Sequence, residues 1–166
     1  MQFPICQVCL KNDILCNGCA EKVGNEEIKV DEIKMFRRLN EFLKDQKNLK
    51  DVEIKRAVGK ETLMIITRKD DVSRLIGKEG RMVKKLSQEL EIPIKIIEQK
   101  QDVKDFVKDV FSSVPVLGIN IVYKPEGQVY KIRIKKTDRN KLPLSSELFT
   151  NVARSLFHVN MDIVFE

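Results

Sequence analysis

Apolar residues recur at helical spacing in Ile33, Phe36, Leu39 and Leu43, behind Asp31, whose carboxylate can cap a helix start. The pattern then changes period. DVEIKRAV sets Val52, Ile54 and Val58 among charged residues, Gly59-Lys60 marks a turn, and ETLMIITRK is rich in β-formers, so two antiparallel strands are expected. Asp70 or Asp71 can cap a short helix, VSRLI, that stops at Gly77. A second helix runs from near Gly80 to about Glu91. In it Met82, Val83, Leu86 and Leu90 form one stripe, and Arg81, Lys84, Lys85 and Gln88 the opposite face. Pro93 ends it, and IPIKIIE is the next strand, giving the order α-β-β-α-α-β.

The second half nearly repeats this order. DVKDFVKDVF is helical by period, GINIVY and QVYKIRIKK flank the turn signal Pro125-Glu126-Gly127, SELFTNVARSLF is a helix and NMDIVFE a strand. Placing the closing strands together puts 94–98 opposite 162–166, and LSSEL (144–148) then stands where IGKEG (76–80) stood. An internal duplication with one degenerate copy, αββαβ, is the economical explanation. The expected fold is α+β: a cysteine segment with its linker at 1–30, one domain at 31–99, and the degenerate copy at 100–166.

All four cysteines fall at the front, as Cys6, Cys9, Cys16 and Cys19, spaced C-x2-C-x6-C-x2-C. Two residues between cysteines let one tight turn aim both sulfurs at a point, and two such turns supply the tetrahedral thiolate set that Zn²⁺ prefers. A pair of disulfides would need an oxidising compartment, which nothing in the sequence suggests. With no open ligand position, one structural Zn²⁺ is expected rather than a catalytic one. Four thiolates around one dication leave a local charge of about −2, so this knuckle is a scaffold or protein-docking element rather than a polyanion contact.

Charge points elsewhere for that contact. The net charge is +6, with residues 31–100 holding 18 basic against 13 acidic side chains. A basic chain favours polyanionic partners. The start, MQFPICQVC, lacks a basic region followed by an apolar one, and the longest uncharged run, 110–123, is too short to span a bilayer. A cytoplasmic monomer without membrane contact is expected.

The most basic segment contains LIGKEGRMVKK, residues 75–85. Between two helices, Gly77-x-x-Gly80 lets the backbone pass close to a ligand without Cβ obstruction, and leaves the next helix's first N–H groups open to phosphate oxygens. Lys78 in the loop and Arg81, Lys84 and Lys85 after it add charge, with Arg74, Ile76 and Glu79 beside them. Leu75, Ile76 and some neighbouring apolar residues could floor a groove for unstacked bases, beside the strand at 94–97. Taken alone, Gly-x-x-Gly is a common turn, and Glu79 would repel a phosphate if it pointed inward.

On the residues Leu75-Ile76-Gly77-Lys78-Glu79-Gly80-Arg81 and the α-β-β-α-α-β order around them, residues 31–98 resemble a type II KH domain. The second half resembles another KH domain with its loop lost, and the pair resembles the module of archaeal NusA-like transcription factors. The resemblance implies a non-catalytic protein that grips single-stranded RNA, or single-stranded DNA, in transcription or RNA processing. RNA polymerase or ribosomal components are then the expected protein partners. The alternative is an adaptor whose zinc and KH surfaces dock proteins with little RNA affinity.

Further along, Lys131, Arg133 and Lys135 alternate with Tyr130, Ile132 and Ile134, offering an extended basic track or an ordinary solvated face. The single histidine, His158, has no catalytic motif around it and suits a structural or surface role. No nucleotide-binding loop, metalloprotease motif or nucleophile elbow is present, which argues against an enzyme.

Overall fold

The computed structural model describes residues 1–166, which divide into two compact units, 1–99 and 100–166. Each carries one three-stranded sheet.

The first unit opens with two short helices, α1 (Gln7–Lys11) and α2 (Asn17–Gly24), each entered through a cysteine, Cys6 and Cys16. Then follow α3 (Val30–Leu43), β1 (Ile54–Val58), β2 (Leu63–Thr67), α4 (Lys69–Ile76), α5 (Arg81–Leu90) and β3 (Ile94–Glu98). The sheet order is β1-β2-β3, with β1 antiparallel and β3 parallel to the central β2. All five β2 residues are buried, which is why LMIIT reads as a continuous apolar run rather than an alternating one.

Three local expectations need correction. The linker expected within residues 1–30 is not simply a linker, because α2 continues to Gly24 and Ile28 is buried in the core. Asp31 does not cap α3: the N-cap is Lys29, and the Glu32 carboxylate accepts the Lys29 N–H at 2.9 Å. Neither Asp70 nor Asp71 caps α4, which begins after Arg68. Asp71 is instead 1% exposed and accepts the Glu53 backbone N–H at 3.0 Å and Arg68 Nε at 2.7 Å.

The cysteine segment and α3 share one core. Ile5, Cys9, Leu10, Cys19 and Ile28 pack in the same cluster as Ile33, Phe36, Leu39, Leu75, Leu86 and Leu90. Polar contacts reinforce it: Arg37 of α3 donates through Nε to the Cys9 carbonyl at 3.0 Å, and Lys22 Nζ donates to the Pro4 carbonyl at 2.7 Å. Gln2 forms a parallel bridge with Glu53 beside β1. Within β1, Arg56 is buried with Glu32, and the two form a double hydrogen bond at 2.7 and 2.8 Å. A charge on a core strand is tolerated only when so paired.

The second unit contains α6 (Val103–Val110), β4 (Val116–Lys124), β5 (Gly127–Ile134), a 3₁₀ segment (Lys136–Lys141), α7 (Ser146–Phe157) and β6 (Asn160–Phe165). Its sheet order is β4-β5-β6, again antiparallel then parallel. Phe106, Phe111 and Phe149 form its aromatic centre, with ring centroids 4.9 and 5.9 Å apart at Phe111–Phe149 and Phe106–Phe149. Asp102 caps α6 and Ser145 caps α7 through their side chains. His158, exposed, ends α7 in a left-handed conformation with φ 55°.

Candidate nucleic-acid interface and metal centre

The corner between α4 and α5 is a single 3₁₀ turn, Lys78–Gly80. Gly77 has φ 75° and ψ 170°, and its N–H closes α4 onto the Ser73 carbonyl at 2.9 Å. A Cβ at Gly77 would lie 2.7 Å from Met82 Cβ and 3.0 Å from Met82 N, so the loop passes against the first turn of α5 where no side chain fits. Gly80 needs glycine for a different reason: a Cβ there would meet only ordinary contacts, 3.8 Å from Val83 Cγ1, but its φ is 72°. Glu79 also takes a left-handed conformation, φ 55°. Its carboxylate sits 3.2 Å from Arg81 Nη2, both side chains about two-thirds exposed or more. The repulsion expected of Glu79 is thus offset by its neighbour, and Arg81 is partly engaged in doing so.

Lys78, Lys84 and Lys85 are exposed around this turn, and Ile76 is half-buried. Met82 and Val83 are partly covered, while Leu86 and Leu90 face the core. Two members of the expected set lie elsewhere. Leu75 is fully buried, so it belongs to the core and not to a groove floor. Arg74 turns away into an ion network: it bonds both Asp51 oxygens, the Asn48 carbonyl, and Asp71 Oδ1 at 3.2 Å.

That network fixes the helix preceding the loop. The hydrogen bond from Arg74 holds the Asp51 carboxyl below its ordinary value, and Asp51 in turn raises Arg74. For Asp71, burial pushes the pKa up, yet the Arg68 hydrogen bond, the Glu53 amide and the charges of Arg68 and Arg74 outweigh it and leave the group lowered. Neither Asp51 nor Asp71 stood out in the sequence as part of the site. The only local signal, the acidic pair at 70–71, pointed to capping.

At the N-terminus the four cysteine sulfurs lie within 4.8 Å of one another, with Cys6 and Cys16 Sγ 3.9 Å apart. Sulfurs at the corners of a tetrahedral thiolate site are spaced about 3.8 Å apart, whereas a disulfide needs about 2 Å. Two backbone amides point at the sulfurs: Cys6 N–H to Cys19 Sγ at 3.4 Å and Cys16 N–H to Cys9 Sγ at 3.2 Å. The backbone N–H of Cys9 holds Cys6 down to about 7. Cys9 receives the Cys16 N–H, which lowers it, but burial and the neighbouring thiols drive it up to about 12. Such a cluster becomes fully anionic only with a cation at its centre, and the donor set fits one metal ion.

Residues 24–99 match the model of the NusA-like first KH domain. Over that segment the chain is similar to a NusA-like KH domain. The match begins at Gly24, so the cysteine cluster is an addition in front of it. Among solved structures, the crystal structure of APE1850 is similar at a TM-score of 0.62 and 21% identity, covering 84% of this chain and 100% of that one. At that identity the likeness carries the fold alone. The search of curated proteins returned no match. A NusA-like KH domain points to nucleic-acid binding. No helix is long and apolar enough to cross a membrane.

On the second unit, Arg133 is spent on Glu166, through paired bonds of 2.8 Å, and Lys131 stands in register with Asp162 of β6. Lys135 is exposed just beyond the strand. The three residues of the expected basic track therefore do not present one open stripe.

Proposed function

We propose that this protein is a non-catalytic single-stranded RNA-binding factor of the NusA-like type, acting in transcription or RNA processing. The observation that carries it is the turn at 77–80. Its backbone lies too close to Met82 for a side chain at Gly77, and Lys78, Lys84 and Lys85 surround it unburied. Sugar-phosphate oxygens meet the backbone amides and the lysines, and Ile76 lies beside bases splayed from the strand. The cysteine cluster holds one structural Zn²⁺ and presents Val8 and Ile14, 64% and 84% exposed, toward a protein partner such as RNA polymerase or a ribosomal component. The second unit is a degenerate KH copy, supported by its shared strand order and pairing. The protein works as a cytoplasmic monomer.

Binding of short random-sequence RNA at low salt tests this, comparing wild type with Lys78→Asp combined with Glu79→Asp. Both substituted side chains are exposed, and aspartate tolerates left-handed φ, so the fold is expected to persist. Loss of binding in the variant supports the loop. Equal binding removes it, and no binding by wild type favours the adaptor reading, for which the exposed Val8 and Ile14 speak.

A further inference from the structure

Exposed positive charge in the second unit is concentrated in the segment after β5. Residues 135–141, KKTDRNK, contain four basic side chains and one acid. That acid, Asp138, is 7% exposed, and its Oδ1 is 2.8 Å from Lys141 Nζ, so it is neutralised from within the segment. Lys135, Lys136 and Arg139 are all exposed and form no ion pair. The segment is also held in place. Lys136 N–H donates to the Glu166 carbonyl at 2.8 Å, and Asp138 N–H donates to the Lys135 carbonyl at 2.9 Å. The Arg139 guanidinium lies over the Phe165 ring, 5.3 Å from its centroid, which orients the group while its N–H edges stay available.

The topology gives this cluster its meaning. In each unit the chain crosses over between two parallel neighbours, β2 to β3 and β5 to β6. The first leg of that crossover is α4 in the first unit and the 3₁₀ segment Lys136–Lys141 in the second. After it the first unit turns through its glycines, whereas the second turns through 142–145, without glycine, into a helix start capped by Ser145. The second unit has thus lost a backbone cradle and carries a side-chain charge cluster in the same crossover.

We propose that Lys135, Lys136 and Arg139 form a second phosphate contact for a nucleic-acid strand. The proposal rests on the chain being a nucleic-acid binder but uses residues independent of the 77–80 loop. A strand backbone suits the site better than an acidic protein does. A protein partner needs an apolar anchor at its centre, and the exposed large apolar residues of this unit, Leu117, Ile121 and Tyr123, all lie on β4. Phosphates need only oriented charge.

The test uses the full chain and an unstructured RNA of about twenty nucleotides, a length chosen to exceed the roughly four that one KH loop grips. Affinity is read across a salt series for wild type, for the triple variant Lys135→Gln, Lys136→Gln, Arg139→Gln, and for the 77–80 double aspartate variant. Backbone amide shifts at 135–141 are followed by NMR. Losing three single-strand phosphate contacts flattens the log–log salt slope by about 2, with at least a roughly tenfold weaker affinity at low salt. Because Arg139 stacks on Phe165, the double variant Lys135→Gln with Lys136→Gln provides a milder check, with a slope change of about 1.4.

An unchanged slope and affinity together with unmoved 135–141 amides overturns the proposal. So does a shift of those amides by poly-L-glutamate and not by RNA, which assigns the patch to an acidic protein. If the triple variant weakens binding while the loop variant does not, this site stands and the loop reading falls. The reverse result rejects this site alone.

Discussion

Gly77 and Met82 are in the closest approach around the loop: a Cβ on the glycine would sit 2.7 Å from the methionine Cβ. Gly80, three residues on, would meet nothing nearer than 3.8 Å. The two glycines are therefore not equivalent, although the sequence writes them identically. Gly77→Ala should strain both φ and packing, costing about 2–4 kcal/mol by thermal or urea unfolding, from overpacking plus left-handed backbone. Gly80→Ala should cost about 1 kcal/mol, from backbone conformation alone. Equal losses would show that Met82 moves aside freely.

Arg74 and Arg81 bracket the same turn and should behave as opposites. Arg74→Ala leaves Asp71 short of a partner inside the unit and should destabilise by about 1–3 kcal/mol. Arg81→Ala should leave the melting temperature nearly unchanged, since its pair with Glu79 is exposed. For RNA, Arg81→Ala removes a cation and frees Glu79, so binding should weaken at low salt. Unfolding curves and RNA titrations on the two variants separate these roles.

Acid should loosen the first unit through Asp51 and Asp71. Both carboxyls are lowered in the folded chain. Their stabilisation is therefore complete above the ordinary carboxylate pKa near 4 and is lost as pH falls through the lowered folded values. Asp71→Asn should be less stable than wild type at pH 7, and the gap should narrow toward pH 3. A gap that stays constant in urea midpoints across that range would disprove the linkage.

Glu32→Gln should destabilise by about 3–5 kcal/mol, because it strands the buried Arg56. Replacing both, as Glu32→Leu with Arg56→Met, should recover much of that loss. Chemical denaturation of the three variants checks it.

Metal removal should be felt beyond the cysteines. Cys9 and Cys19 share a core with Phe36 and Leu39, so chelation is expected to lower the melting temperature of the whole first unit rather than free the N-terminus alone. One zinc per chain under reducing conditions, lost in Cys9→Ser, is the matching measurement. A melt unaffected by chelator would separate the cluster from the fold.

The sequence by itself determined the main helices and strands after residue 30 and much of the chemistry, but not the short helices α1 and α2. Period-3.6 stripes such as Met82, Leu86 and Leu90 locate helices because burial acts on one face, and the C-x2-C pairs announce four converging sulfurs because that geometry is local. The glycine turn was legible for the same reason. Local pattern could not decide which charges are spent. Arg74, Arg133 and Lys135 look alike in the chain, yet Asp51 and Glu166 engage the first two, and Lys135 alone is left open. Asp51 is 23 positions from Arg74 and Glu166 is 33 from Arg133. The burial of Asp71, the pairing of Arg56 with Glu32 and the joining of the cysteine segment to α3 have the same origin. Each depends on residues distant in sequence that only chain folding brings within hydrogen-bonding range, where partners and desolvation, not residue type, set what a charge can do.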